Sequence, residues 1–133
     1  MPSVNRMDAK HALLLAALLA AATVVADRVL AQQVRVLVQS SPLAGFKYHE
    51  APNIWQDMRV GDALSLEREP DNVHDATAIS VKWRGHMLGY VPRAQNVALA
   101  WAMDRGENLD ARVSRLQPHR NSRKRIEFEV YVD

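Results

Sequence analysis

ALSLEREPDNVHDATAISVKWRGHMLGYVP, residues 63–92, decides the fold. Its first six residues alternate, Leu64 and Leu66 against Ser65 and Glu67, which is the period of a half-buried strand. Glu69, Pro70, Asp71 and Asn72 then form a turn cluster, because Pro fixes φ and the Asp and Asn side chains bond their own backbone. Alternation resumes over residues 76–83, with Ala76, Ala78 and Ser80 on one face and Ile79, Val81 and Trp83 on the other. Trp83, Arg84, Gly85 and His86 read as a tight hairpin turn, with a glycine available for positive φ. Residues 87–91 return as a strand that Pro92 closes.

The same periods extend outward. Residues 109–116 alternate Leu109, Ala111 and Val113 against Asp110, Arg112 and Ser114, and residues 126–132 alternate as cleanly. Residues 33–38 are rich in β-branched side chains and read as a first strand, ended by Ser40, Ser41 and Pro42. Residues 44–58 carry Gly45, Pro52 and Asn53 without a clear period and read as a long functional loop, with a short helical turn near Trp55. Residues 96–105 form the one amphipathic helix, with Val97, Leu99, Ala100, Trp101 and Met103 on its apolar side and Gly106 suited to its C-terminal cap. Six strands, one main α-helix and short turns predict a mainly β fold: a small, closed, six-stranded β-barrel with the helix across it.

Composition limits the chemistry. The chain of 133 residues holds one domain, and it has no cysteine. That excludes a disulfide framework, thiolate-held zinc or iron–sulfur sites, and a thiol nucleophile. The formal charge is +2; from residue 32 onward fourteen Lys and Arg face thirteen Asp and Glu. This is not the balance of a protein that coats DNA nonspecifically, so any basic surface is local. The obvious cluster, Arg120, Arg123, Lys124 and Arg125, reads as a solvated hairpin loop.

Arg6 and Lys10 precede an uncharged run over residues 12–26 made mostly of leucine and alanine. A basic start followed by roughly 7–15 apolar residues is the pattern of a secretory signal. The run is short for a membrane-spanning helix, which needs ~20 apolar residues. Cleavage after Ala31 suits the polar Asp27 and Arg28. Residues 1–31 are therefore expected to be an N-terminal hydrophobic signal helix or membrane anchor, and residues 32–133 the folded domain. The alternatives are an alanine-rich helix packed on the domain and an uncleaved anchor. The expected location is the periplasm or the outer face of the inner membrane, with the membrane met only through this segment. If translation starts near Val34 instead, the domain is cytoplasmic.

The run Leu66-Glu67-Arg68-Glu69-Pro70-Asp71-Asn72-Val73-His74-Asp75-Ala76-Thr77-Ala78-Ile79 resembles the central signature of HIRAN domains, L-x-R-E/D-P-x-N-P-x-D-x-x-A-I/V. Gly85-His86-Met87-Leu88-Gly89-Tyr90-Val91-Pro92-Arg93 is similar to the family's G-x-x-L-G-Y-V-P-R. Ala44-Gly45-Phe46-Lys47-Tyr48-His49, Val60-Gly61-Asp62 and the stretch from Leu99 through Gly106 to Ala111 also match. The resemblance spans roughly residues 34–131. It implies an OB-like β-barrel and a module that captures the 3′-hydroxyl end of single-stranded DNA. Helicase and zinc-binding activities of such proteins belong to neighbouring domains, so no enzyme activity and no cofactor are expected here.

Carried over residue by residue, the resemblance implies a nucleic-acid-binding site of Lys47, Tyr48, His49, Asn72, His74, Asp75 and Arg93. Lys47, Tyr48 and His49 stand where the family has a basic–aromatic–aromatic run. Asn72 and Asp75 match the Asn and Asp of the turn, and His74 stands where an aromatic residue is common. Two positions depart from the pattern: Val73 replaces the usual Pro and His49 the usual Tyr. The first loosens the turn, and the second offers a smaller stacking face.

Such a site is chemically coherent. Asp75 can accept the hydrogen bond of a 3′-hydroxyl and repel a 3′-phosphate. Tyr48, with His49 or His74, offers stacking faces, each worth ~1–3 kcal/mol per base. Lys47 and Arg93 offer phosphate contacts. Each residue also has a plainer role. Asp75 and Asn72 can simply hold the turn, Tyr48 can pack, and Lys47 can be solvated. Zinc shared by His49, His74 and Asp75 is a weak alternative, because they lack a ligand spacing. Trp83 and Trp101 read as core residues, and Arg68 and Glu69 as a surface pair. No Gly-rich phosphate loop, nucleophile elbow or paired-His metal motif is present. The export signal supports a second function, an envelope interaction module that binds a glycan, a peptide or a protein partner of unknown identity with the same barrel.

Overall fold

The computed structural model describes residues 35–133. The expected signal segment, its cleavage after Ala31 and the domain start at residue 32 lie outside the described residues. Among the described residues no helix is long and apolar enough to cross a membrane.

Six strands form one antiparallel sheet: β1 (Val36–Pro42), β2 (Ala63–Arg68), β3 (Ile79–Trp83), β4 (His86–Tyr90), β5 (Leu109–Leu116) and β6 (Ile126–Val132). Their order across the sheet is β1-β6-β5-β2-β3-β4. Two helices accompany them, the single turn α1 (Ala51–Ile54) and α2 (Val97–Asp104). β2 joins two halves. Only Ala63 and Leu64 pair with β5, at Arg112 and Ala111, while Ser65 to Arg68 pair with β3. The sheet therefore folds over at β2. Val113, Ile126, Phe128 and Val130 of one half meet Ile79, Val81, Trp83 and Leu88 of the other in one buried core.

The expected closed barrel is corrected: the sheet does not close. β1 and β4 are its edges; a single bridge spans the gap, in which Ala44, two residues past β1, and Tyr90 of β4 exchange N–H···O bonds of 2.9 Å in both directions. The physical reason lies in residues 43–58, which occupy the place of a closing strand. Their Leu43, Phe46, Ala51 and Met58 are buried in the core. Glu50 then caps the free edge of β4. Its N–H donates to the Met87 carbonyl at 2.9 Å, and its carboxylate accepts the Met87 N–H at 2.7 Å. That N–H bond, with the His86 ring beside it, holds the Glu50 carboxyl below its ordinary range.

Three other expectations change. The first strand runs four residues beyond residue 38, because Ser40 and Ser41 pair with Glu129 and Phe128 after a bulge. Pro42 ends it on an open edge, where its missing N–H costs nothing. The strand expected over 76–83 starts only at Ile79, since residues 75–78 are tied into the turn, and Ile79, Ser80 and Val81 are all buried. The helix is apolar nearly all round rather than amphipathic. It buries Leu99 together with Ala100 and Ala102, two small side chains that allow close packing, and turns Trp101 outward, 60% exposed. Trp83 is in the core, as expected, and its indole N–H donates to Asp62 at 3.0 Å. The β3–β4 turn has positive φ at both Arg84 and Gly85, the geometry that matches strand twist in a two-residue hairpin.

Candidate functional site

The turn between β2 and β3 is held by its own polar side chains. Asn72 Oδ1 accepts the His74 N–H at 2.9 Å, and Asn72 Nδ2 donates to Glu69 Oε1 at 3.1 Å. The same Glu69 oxygen accepts the Tyr90 hydroxyl at 2.9 Å, which ties the turn to β4. Burial first, and then the Glu69 carboxylate, push the Tyr90 phenol up. Arg68 does not pair with Glu69. It forks onto the Asp104 carboxylate at 3.0 and 3.1 Å and donates to the Ala78 carbonyl at 2.9 Å, so it clamps the base of the turn to α2.

Asp75 sits at the centre. Its Oδ1 accepts the Thr77 N–H at 3.0 Å and the Thr77 hydroxyl at 2.8 Å. Its Oδ2 accepts Asn96 Nδ2 at 2.8 Å. Asn96, just before α2, is buried, and its Oδ1 lies 2.9 Å from the Thr77 hydroxyl. Burial raises the Asp75 carboxyl, but the Thr77 and Asn96 bonds, helped by the Arg93 charge, outweigh it and hold the pKa below the ordinary value. A carboxylate oxygen has about two acceptor positions. Oδ1 uses both, and Oδ2 keeps one.

Beside this network lies a cleft of about 420 Å³. It brings together five of the seven residues expected from the sequence: His49, Asn72, His74, Asp75 and Arg93. The His49 ring stands edge-on to Tyr90, with centroids 5.6 Å apart. Among the described residues no three His, Asp or Glu side chains come together as a metal-ligand group. Lys47 and Tyr48 lie elsewhere. They line an adjoining cleft of about 280 Å³ with Asn121, Ser122 and Arg123. Tyr48 is 84% exposed, so it is a surface ring and not a packing residue. A third cleft, of about 390 Å³, shares Ala44 and Arg93 with the first and Gly45 and Arg123 with the second. The three form one groove.

The HIRAN domain model matches residues 36–133. The chain belongs to the HIRAN domain family. At the level of the family, this is a module of nucleic-acid-binding proteins and a binding rather than a catalytic domain. A crystal structure of a protein from Lactobacillus plantarum resembles this HIRAN domain with a TM-score of 0.65 and 31% identity, over 74% of this chain and 95% of that one. The HIRAN domain of human HLTF shares the fold, with a TM-score of 0.51 and 20% identity, over 76% of this chain and 78% of that one. A Fanconi-associated nuclease 1 homolog of Oryza sativa subsp. japonica is 36% identical over 73 residues, 52% of this chain. The match spans 7% of that nuclease's length.

Sequence reasoning missed several residues that line the groove or brace its walls. Thr77 and Asn96 hold Asp75, Glu69 and Tyr90 hold the turn, and Arg123 joins two clefts. Thr77 stood inside the signature. Nothing in the sequence distinguishes the buried Asn96 from an ordinary residue at a helix start.

Proposed function

We propose that this HIRAN domain is a single-stranded DNA-binding module whose main cleft takes the 3′-hydroxyl end of the strand. The observation that carries the reading is the state of Asp75. It is an ionised carboxylate, fixed by Thr77 and Asn96, with one acceptor position left on Oδ2 at a cleft lined by His49, His74 and Arg93. A terminal hydroxyl donates there, Arg93 meets the adjoining phosphate, and the imidazoles flank the base. A 3′-phosphate brings a second anion against a fixed one, which the cleft rejects. Asn72 has a different role: both ends of its amide are engaged in the turn, so it shapes the cleft rather than reading the ligand. The reading is of binding without catalysis.

The test is a titration of the full chain into matched single strands ending in a 3′-hydroxyl or a 3′-phosphate. The hydroxyl end should bind about tenfold more tightly or better, since hydrogen bonds to charged groups contribute ~1.5–3 kcal/mol. Asp75→Asn should erase the preference. Because Asp75 also holds the turn, unfolding curves of the variant are needed, and Arg93→Ala supplies a second loss outside that network. Equal binding of both ends by the wild-type chain would refute the end-reading.

A further inference from the structure

The loop between β5 and β6 has a second side. Residues 118–125 and the 3₁₀ turn Trp55–Asp57 border a wide-open cleft of about 550 Å³ lined by Trp55, Gln56, Pro118, His119, Arg120 and Arg125. No carboxylate lines it. Amide and backbone bonds hold the loop, and of its four cations Arg125 alone adds a side-chain bond. Gln117 N–H donates to the Arg125 carbonyl at 3.0 Å and Gln117 Nε2 to the Lys124 carbonyl at 2.9 Å. Asn121 Oδ1 accepts the Arg123 N–H at 3.0 Å. Among the described residues none of Arg120, Arg123, Lys124 and Arg125 forms an ion pair, whereas Arg35, Arg68, Lys82 and Arg105 all do.

The cleft also has fixed donors and an aromatic wall. The Arg125 guanidinium lies 5.1 Å over the Phe46 ring, and its Nε donates to the His119 carbonyl at 2.9 Å. That leaves the four Nη protons of a positioned fork. His119 Nδ1 accepts the Asn121 N–H at 2.9 Å, so in this geometry Nδ1 carries no proton and Nε2–H is the donor. Trp55 meets Phe46 edge-on at 6.3 Å and stands half-buried at the cleft. Phe46 in turn lines the neighbouring cleft with Lys47, Tyr48 and Arg123.

We infer that this cleft is a second subsite, which takes the phosphodiester backbone and a stacked base of the strand several nucleotides 5′ of the bound end. The inference rests on the nucleic-acid reading above, and it adds a direction to it. The strand runs from Asp75 past Arg93 and Arg123, beside Tyr48, to Arg120, Arg125 and Trp55. Cations interleaved with aromatic faces are what a single strand requires along its length.

Length dependence tests it. The full chain and Arg120→Glu are titrated with oligothymidylates of about two and about ten nucleotides, each with either 3′ end, at several salt concentrations. Arg120 is exposed and outside the main cleft, so the fold and the dinucleotide affinity should be unchanged. The wild-type chain should bind the long strand about tenfold more tightly than the short one, and Arg120→Glu should remove most of that gain and flatten the salt slope. A wild-type chain without a length gain, a gain that survives in the variant, or an equal loss on both lengths would overturn the subsite. Failure of the end-reading looks different: the two 3′ ends bind alike, while the length gain and its loss are still read on both.

Discussion

The β2–β3 turn and the β5–β6 loop border the same groove and spend their polar side chains in opposite ways. In the turn, Glu69, Asn72, Asp75 and Thr77 bond one another and reach across to Tyr90 and Asn96. In the loop, the Gln117 and Asn121 amides and the His119 ring fold the backbone, and Arg120, Arg123 and Lys124 are left to solvent. A saturated network fixes one acceptor at one place and suits a single chemical group. An unspent cation cluster has no preferred geometry and suits a repeating charge. On the proposed function, that difference makes the turn the loop that reads and the β5–β6 loop the one that attracts.

The seam between the regions is where the comparison breaks most easily. A Cβ at Gly89 would run into the Ala44 carbonyl oxygen, which is backbone and cannot swing aside. Gly89→Ala should cost about 3 kcal/mol in denaturant unfolding and part the Ala44–Tyr90 bridge that both halves of the groove share. A cost within experimental error would mean that the bridge is not needed to hold the clefts together.

Asn96→Ala is next and strikes the turn alone. It removes a buried amide that serves Asp75 and Thr77, and should cost about 2 kcal/mol. The pH dependence carries the signature. Asp75 is held below its ordinary value, so its contribution is present above the unfolded-state pKa and is lost as pH falls through the lower folded-state value. Without the Asn96 bond the folded value moves back up. The stability gap between wild type and variant should therefore narrow as pH falls through the acidic range. A gap that stays constant would show that Asn96 acts by packing and not through the carboxylate.

Arg123→Ala should have the smallest effect and the opposite character. Stability should stay within about 0.5 kcal/mol, since no structural bond of the side chain is lost. Single-strand affinity should fall only a few-fold, with the salt slope reduced by about 0.7, the value of one phosphate contact on a single strand. A large stability loss would place Arg123 with the turn residues and erase the contrast between the loops.

Much of this was legible in the sequence because alternation is a local property. β2, β5 and β6 have the boundaries that Leu64, Leu66, Leu109, Val113, Phe128 and Val130 dictate. The open sheet was not legible, because it depends on Leu43, Phe46 and Met58 filling the core from a stretch with no period. Trp101 misled for a related reason: a helix apolar on every side does not announce which side packs. The cleft's five residues come from three stretches of chain, and the central signature covers one of them. Asn96 was silent because its partners, Asp75 and Thr77, lie about twenty residues away, and only the fold brings them near.

The Ala44–Tyr90 bridge has a kinetic consequence. Its two bonds close a long segment of chain and require β2, β3 and β4 to be in place, so they carry little weight in an early folding nucleus. A contact made after the rate-limiting step governs how fast the native state opens rather than how fast it forms. The lifetime of the intact groove, and not the speed of its assembly, is what Gly89 sets.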